Sequence, residues 1–193
     1  LLAAHDLELR EKINLEVADT SDLHDTLRGQ KPTGRIPVLI KQDGSALYDS
    51  RIILDFLERQ SHHLLFPETG NLRDLALIQA ALAEGLTDYA ILWGYAYRFS
   101  EGQPPPELWR SQHLQKTKRG CDNLEQNISS WISIQPHTVS SITLVACLSY
   151  LSFRNVCNWS NFRPELLNWY VEIATSLPGF EIIAPNTNLD ITK

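Results

Sequence analysis

The sequence predicts a chain in two parts, a small mixed α/β domain over residues 1–61 and an all-helical domain over residues 71–193, joined by a linker at 62–70. Three observations carry this reading. Short runs with strand alternation are interleaved with short helical stretches before His62. The stretch from His62 to Gly70 holds Pro67 and Gly70 and interrupts every periodic pattern. From Asn71 onward, apolar residues recur every three or four positions, the repeat of a helix with one buried face.

The elements follow in order. Leu1 to Leu9, rich in alanine and leucine, reads as the tail of a helix with no capping residue before it. Ile13-Asn14-Leu15-Glu16-Val17 alternates apolar and polar residues, as a half-buried strand does. Thr20, Ser21 and Asp22 are placed to cap a brief helix through Leu27, and Lys31-Pro32-Thr33-Gly34 breaks the chain. Arg35 to Ile40 reads as a strand, Asp43-Gly44 as a tight turn, and Ala46-Leu47-Tyr48 as the returning strand. Asp49-Ser50 opens a helix whose apolar residues Ile52, Ile53, Phe56 and Leu57 share a face. This order matches a thioredoxin-like βαβαββα unit without its first strand and the start of its first helix.

The second part reads as helix throughout. Leu75, Ile78, Leu82, Leu86, Tyr89 and Trp93 mark a long helix from about Asn71 to Phe99, ended by Gly102 to Pro106. A more polar helix covers Glu107 to Trp131. Thr138 precedes an apolar helix, Ile142 to Phe153. Pro164 stands at the first turn of a further helix, where a missing N–H costs nothing. That helix is expected to bury Leu166, Leu167, Tyr170, Val171 and Ala174.

Composition narrows the function classes. The 193 residues carry a formal net charge of −6, which argues against a nucleic-acid binder. No apolar run approaches the roughly 20 residues that span a bilayer, so no membrane role is expected. Cys121, Cys147 and Cys157 are an odd number without CxxC spacing and read as reduced thiols, with Cys147 in the core. His62-His63 has no partner cluster, so no metal site is expected. The chain contains no methionine, and the expectation is that it starts downstream of the gene product's own start.

Gly34-Arg35-Ile36-Pro37-Val38-Leu39, then Asp43-Gly44, then Leu47-Tyr48-Asp49-Ser50-Arg51-Ile52-Ile53-Leu54 form a G-x-[VI]-P-x-L strand, a DG hairpin and an [ED]-S-x-x-I helix start. In that order and spacing, with a helical half behind them, they resemble the glutathione transferase family across essentially the whole chain. Lys31-Pro32-Thr33-Gly34 sits where the family has Asn-Pro-x-Gly. Thr138 to Tyr150 resembles a helix with an S/T-x-x-D cap, except that Ser141 replaces the acid. Trp169-Tyr170 through Pro178-Gly179-Phe180 to Pro185 resembles the ending of bacterial-type members.

The resemblance implies roles for five residues. In this family the bond before the strand proline is cis, which leaves the backbone of the preceding residue, here Ile36 before Pro37, to pair with the cysteinyl backbone of glutathione as an added strand would. Asp49-Ser50 brings a carboxylate, a hydroxyl and unpaired N–H groups to a helix start. Ser50 with the helix end suits an α-carboxylate, and Asp49 suits the α-amino group beside it. Arg35 lies where other members direct a polar side chain towards the glycyl end. Each residue also has a plainer reading: Asp49-Ser50 as a cap, Pro37 as a trans edge proline, Arg35 as a solvated charge.

The family helix that borders the acceptor pocket corresponds to the one carrying Tyr89, Trp93, Tyr95 and Tyr97. Tyr89, Trp93 and Tyr97 are the candidate pocket residues, and core or dimer contacts are the alternative. The implied activity is cytoplasmic detoxification by a homodimer, conjugating glutathione as co-substrate to a small, partly apolar electrophile. A glutathione-dependent reductase or isomerase, or a non-catalytic binding module, remains the alternative. No Ser, Tyr or Cys precedes Thr20 and Ser21, so no catalytic residue is assigned within the chain. The family's thiolate-activating residue is expected upstream of Leu1.

Overall fold

The protein was analysed as a computed structural model that describes residues 1–100, 103–132 and 137–183. Gly102, expected to end the first long helix, and Pro185, at the expected family ending, lie outside these residues. The chain divides into two compact units, one from Ala3 to Leu65 and the other from Phe66 onward.

In the first unit, α1 (Leu2–Asp6) is followed by a 3₁₀ turn (Arg10–Lys12), α2 (Leu27–Gln30), β1 (Leu39–Ile40), β2 (Ala46–Leu47) and α3 (Ser50–Arg59). Glu8 adopts φ 57°, and Leu9 N–H returns to the Ala4 carbonyl at 2.8 Å, which closes α1. The two strands pair antiparallel, Leu39 with Leu47 and Ile40 with Ala46. Their turn depends on Gly44 at φ 81° and on the Asp43 carboxylate, which accepts the Ser45 N–H at 2.9 Å and Lys41 Nζ at 3.1 Å. Hydrogen bonds from the Ser45 hydroxyl, the Ser45 N–H and Lys41 hold the Asp43 carboxyl down at about 2. Ser61 Oγ donates to the Leu7 carbonyl at 3.2 Å and ties the end of α3 back to the start of the unit.

Several expectations for this unit are corrected. Residues 13–17 form no strand, and Leu15 and Val17 are exposed, Val17 completely. A strand needs a neighbour for its N–H and C=O groups, and the sheet among the described residues pairs β1 with β2 and leaves residues 13–17 off its edge. A cleft of about 500 Å³, lined by Leu9, Ile13, Ile40 and Phe56 among others, lies beside that edge. Thr20 to Asp22 start no helix; Asp25 Oδ1 accepts the Leu27 N–H at 2.7 Å, and α2 begins there. Regular pairing of the expected strand 35–40 is confined to Leu39–Ile40, because Pro37 offers no N–H. On α3, Leu57 is buried, while Ile52 faces outward.

The second unit contains α4 (Asn71–Arg98), α5 (Glu107–Ile132), α6 (Val139–Phe153), α7 (Pro164–Ser176) and α8 (Phe180–Ile183). α6 is apolar all round and buried along ten positions, from Val139 to Leu151, as expected of a central helix. α4 and α7 pack on it, and α5 packs on α4 and α7. By length and composition α4 could cross a bilayer, which amends the expectation that no stretch approaches that size. Its buried stripe of Ala76, Ala80, Ala83, Leu86 and Ala90 packs it closely in this helical unit. Gly120 of α5 lies against Leu86; a Cβ there would stand 2.5 Å from Leu86 Cδ2.

Thr138 caps α6 in a reciprocal box: its hydroxyl accepts the Ser141 N–H at 3.5 Å, and Ser141 Oγ accepts the Thr138 N–H at 2.9 Å. Ser141 thus reaches back from the position where the resembled pattern has an acid. α7 buries Leu166, Trp169, Tyr170, Ile173 and Ala174. The expected Leu167 and Val171 are only half-buried, and the buried stripe runs through Trp169 and Ile173 instead.

The start of α7 is completed from another helix. Pro164 has no N–H, while Glu125 of α5 accepts the Glu165 and Leu166 N–H groups at 3.2 and 2.7 Å. Leu167 N–H then makes the first bond to Arg163 at 3.1 Å, so the first turn is fully paired. Arg163 Nη2 and Nε also donate to Asp122 Oδ1 at 2.6 and 2.9 Å.

Candidate functional site

The first candidate site lies at the open end of the hairpin, opposite the Asp43-Gly44 turn. Ile36-Pro37 leads into β1 and Asp49-Ser50 leads out of β2, so antiparallel pairing brings the two dipeptides to one end. The Ile36–Pro37 and Tyr48–Asp49 bonds are both cis. Arg35, Ile36 and Pro37 are exposed. The Ile36 N–H and C=O make no hydrogen bond among the described residues. Lys31 is buried, and its Nζ lies 5.5 Å from the centre of the Tyr48 ring, bracing the loop before Arg35 against the end of β2.

α3 begins at this end. Asp49 is its N-cap, and Oδ1 accepts the Arg51 N–H at 3.2 Å. The Asp49 carbonyl takes the Ile53 N–H at 3.0 Å. The Ser50 hydroxyl, on a half-buried residue, makes no hydrogen bond among the described residues, and the Ser50 and Ile52 N–H groups also stay unpaired there. This combination of hydroxyl, helix-end N–H groups and neighbouring carboxylate can hold a group carrying both charges. None of Arg35, Ile36, Pro37, Asp49 and Ser50 lines the cleft beside Ile40, which is a separate feature of the unit.

The second unit gathers aromatic side chains from α4 and α5. Trp93 lies 5.2 Å from Tyr97 and 6.0 Å from Trp109, ring centre to ring centre. Trp109 stacks on His113 at 4.4 Å, and Tyr89 meets His113 edge-on at 5.0 Å. His113 is buried, and its Nε2 lies 2.6 Å from the Tyr89 carbonyl, so this nitrogen carries the hydrogen. Arg110 pairs with Glu107 and with the Tyr97 hydroxyl, and both raise the pKa of its guanidinium. The structure therefore brings Tyr89, Trp93 and Tyr97 together. Tyr95 points elsewhere and pairs with Phe99 at 5.8 Å.

Trp109, Arg110 and His113 escaped the sequence reading, as did Lys31. Trp109 and His113 stand four residues apart, the spacing of one helix face, and that signal was available. No group of three metal-binding side chains occurs among the described residues.

Comparison with known proteins bears on both parts. The family model for the glutathione S-transferase N-terminal domain matches residues 1–60. A crystal structure of a glutathione transferase family member from Pseudomonas fluorescens Pf-5, with bound glutathione, superposes with a TM-score of 0.86 at 29% identity. The match covers 96% of this chain and 92% of that one. The chain is thus similar over nearly its whole length to solved glutathione transferases, and its first 60 residues match that family's N-terminal domain. A glutathione S-transferase from Methylobacillus flagellatus KT with GSH bound matches at 25% identity and a TM-score of 0.85, again over 96% and 92% of the two chains. The uncharacterised GST-like protein YibF of Escherichia coli (strain K12) is 27% identical over 140 residues, 70% of this chain and 68% of that protein. The fold is accordingly the one these glutathione transferases share, a thioredoxin-like domain followed by an all-helical domain.

Proposed function

We propose that this protein is a glutathione transferase that binds glutathione at the open end of its hairpin and conjugates it to a small, partly apolar electrophile. The observation that carries the proposal is the convergence of the unpaired Ile36 backbone with the Asp49-Ser50 helix start. Glutathione is a γ-glutamyl peptide with a zwitterionic head and an extended backbone, and the two features match these in turn. Ile36 pairs with the cysteinyl backbone as a short added strand. Ser50 and the α3 N–H groups hold the γ-glutamyl carboxylate, while Asp49 holds the ammonium. Arg35 lies towards the glycyl end. The bound structures from P. fluorescens and M. flagellatus support glutathione as the ligand.

Glutathione supplies the nucleophile, its own thiolate, which forms a thioether and displaces or adds to the electrophile. The residues of this chain bind and orient it. The aromatic group of Tyr89, Trp93 and Tyr97, now with Trp109 and His113, is the candidate surface for the acceptor. Members of this family work as cytoplasmic homodimers in detoxification, and we extend that setting to this protein. Glutathione-dependent reduction or isomerisation, and non-catalytic binding, are the competing readings. The full-length protein assayed with glutathione and a chloronitroaromatic acceptor tests the proposal. Turnover that saturates in both supports it, whereas glutathione binding without turnover on any of several electrophiles points to a binding module.

A further inference from the structure

The described part of the second unit contains a pair of thiols that the proposed reaction does not use. Cys121 is fully buried on α5, and Cys157 is half-buried in the turn between α6 and α7. The two side chains interact directly, each shifting the other's ionisation. The framework around them holds that contact in place. Arg163 donates to Asp122, the residue after Cys121, and Glu125 one turn further on takes the first N–H groups of α7. On the turn's other side, Trp159 N–H bonds the Cys157 carbonyl at 3.0 Å. Its indole Nε1 donates to the Leu148 carbonyl at 3.0 Å. The turn is thereby pinned to α5 and to α6 on either side of the sulfurs.

The two cysteines are also chemically different. Contact with Cys121 and the nearby cations of Arg163 and Lys118 favour the Cys157 thiolate, so its pKa falls. Proximity to the Cys157 thiolate and burial push Cys121 the other way. Cys157 is the half-exposed member of the pair, beside the Arg163 and Lys118 cations, and Cys121 the buried one, the arrangement of an attacking and a resolving cysteine.

We propose that Cys157 and Cys121 form a peroxide-oxidisable thiol pair that closes to a disulfide within the helical unit. The Cys157 thiolate attacks one oxygen of a hydroperoxide. The O–O bond breaks, the leaving alkoxide or hydroxide takes the proton released from Cys157, and Cys157 becomes a sulfenic acid. The Cys121 sulfur then attacks the Cys157 sulfur. The S–OH bond breaks, and hydroxide leaves with the Cys121 proton as water. The two thiols lose two electrons and the hydroperoxide gains them. Cys147, fully buried on α6, takes no part.

The test treats the reduced full-length protein with one equivalent of hydrogen peroxide, followed by non-reducing peptide mapping with mass spectrometry. A Cys121–Cys157 linked peptide two hydrogens lighter, with Cys147 still a thiol, is expected. In Cys121→Ser the same treatment should leave Cys157 as a sulfenic acid that a dione probe traps. In Cys157→Ser, oxidation of Cys121 should slow at least tenfold. Three unmodified thiols, or Cys157 oxidised to the sulfinic acid without the crosslink in the unsubstituted protein, would overturn the proposal. Because the unsubstituted map is decisive alone, a variant that fails to fold does not spoil the test.

Discussion

Replacing Gly120 by alanine sets two known effects against each other at one contact. In the interior of a helix, Gly→Ala alone stabilises by about 1 kcal/mol. At Gly120 the new Cβ would lie 2.5, 3.2 and 3.3 Å from Leu86 Cδ2, Cγ and Cδ1, well inside the roughly 3.5–4.0 Å at which carbons rest. Leu86 is 2% exposed, so it must leave its rotamer or α4 and α5 must part. Such overpacking costs about 1–3 kcal/mol. We therefore expect Gly120→Ala to destabilise by about 1 kcal/mol net. All three clashing atoms disappear in Leu86→Ala, which by itself should cost about 2–5 kcal/mol. In that background Gly120→Ala should turn stabilising by about 1 kcal/mol, a coupling of about 2 kcal/mol between the two sites. Gly85, whose added Cβ would meet nothing within 4 Å, is the control, and Gly85→Ala should stabilise by about 1 kcal/mol. Urea unfolding of the four members of the cycle and the control supplies the numbers. If Gly120→Ala stabilises equally in both backgrounds, the claimed close approach of the two helices is wrong.

Three further expectations concern the sites and the caps. Ser50→Ala should weaken glutathione binding about tenfold or more by calorimetry, since one hydrogen bond to a charged group is lost; unchanged affinity would remove Ser50 from the site. Ser141→Ala should cost about 1 kcal/mol in thermal unfolding. Ser141→Asp, attractive from the family pattern alone, should add under about 0.5 kcal/mol, because the hydroxyl already holds the Thr138 N–H at 2.9 Å. Cys147, pushed up to about 12 by burial, should resist thiol reagents at pH 8 until the protein is unfolded. Its unfolded form ionises at lower pH than its folded form. Its contribution to stability is therefore complete below about pH 8.5, the ordinary thiol value, and falls as pH rises from there towards 12. Alkaline unfolding curves of Cys147→Ala should show a shallower decline over that window than those of the parent protein.

The helical half was legible because its signals are local. Pro164, Thr138 and the repeat along α4 each act within a turn or two of their own position, so α4, α6 and α7 fall close to where they were expected. The hairpin was legible for the same reason, through Asp43-Gly44. What escaped is non-local. The alternation in Ile13–Val17 describes a strand only if an edge lies beside it, and no residue within that run reports whether one does. The buried face of α7 was misread at Leu167 and Val171 because the position of Trp169 depends on what packs against it. At the hairpin end, the dipeptides Ile36-Pro37 and Asp49-Ser50 were found from their pattern. Lys31 was not, since only the fold brings it under Tyr48. His113 likewise gains its place from Trp109 beside it and from a carbonyl on another helix.

The carboxylate of Glu125 at the start of α7 bears on how the helical unit assembles. A helix of 13 residues with a proline at its first position and no cap of its own has little tendency to form alone. Its first two available donors are satisfied only when α5 is already folded alongside, and α5 in turn receives Arg163 at Asp122. Nucleation of α7 is thus delegated to a neighbour, and neither helix end can open without disturbing the other. The amides of the first turn of α7 and those around Asp122–Glu125 should exchange with solvent through one shared opening, as a single cooperative unit.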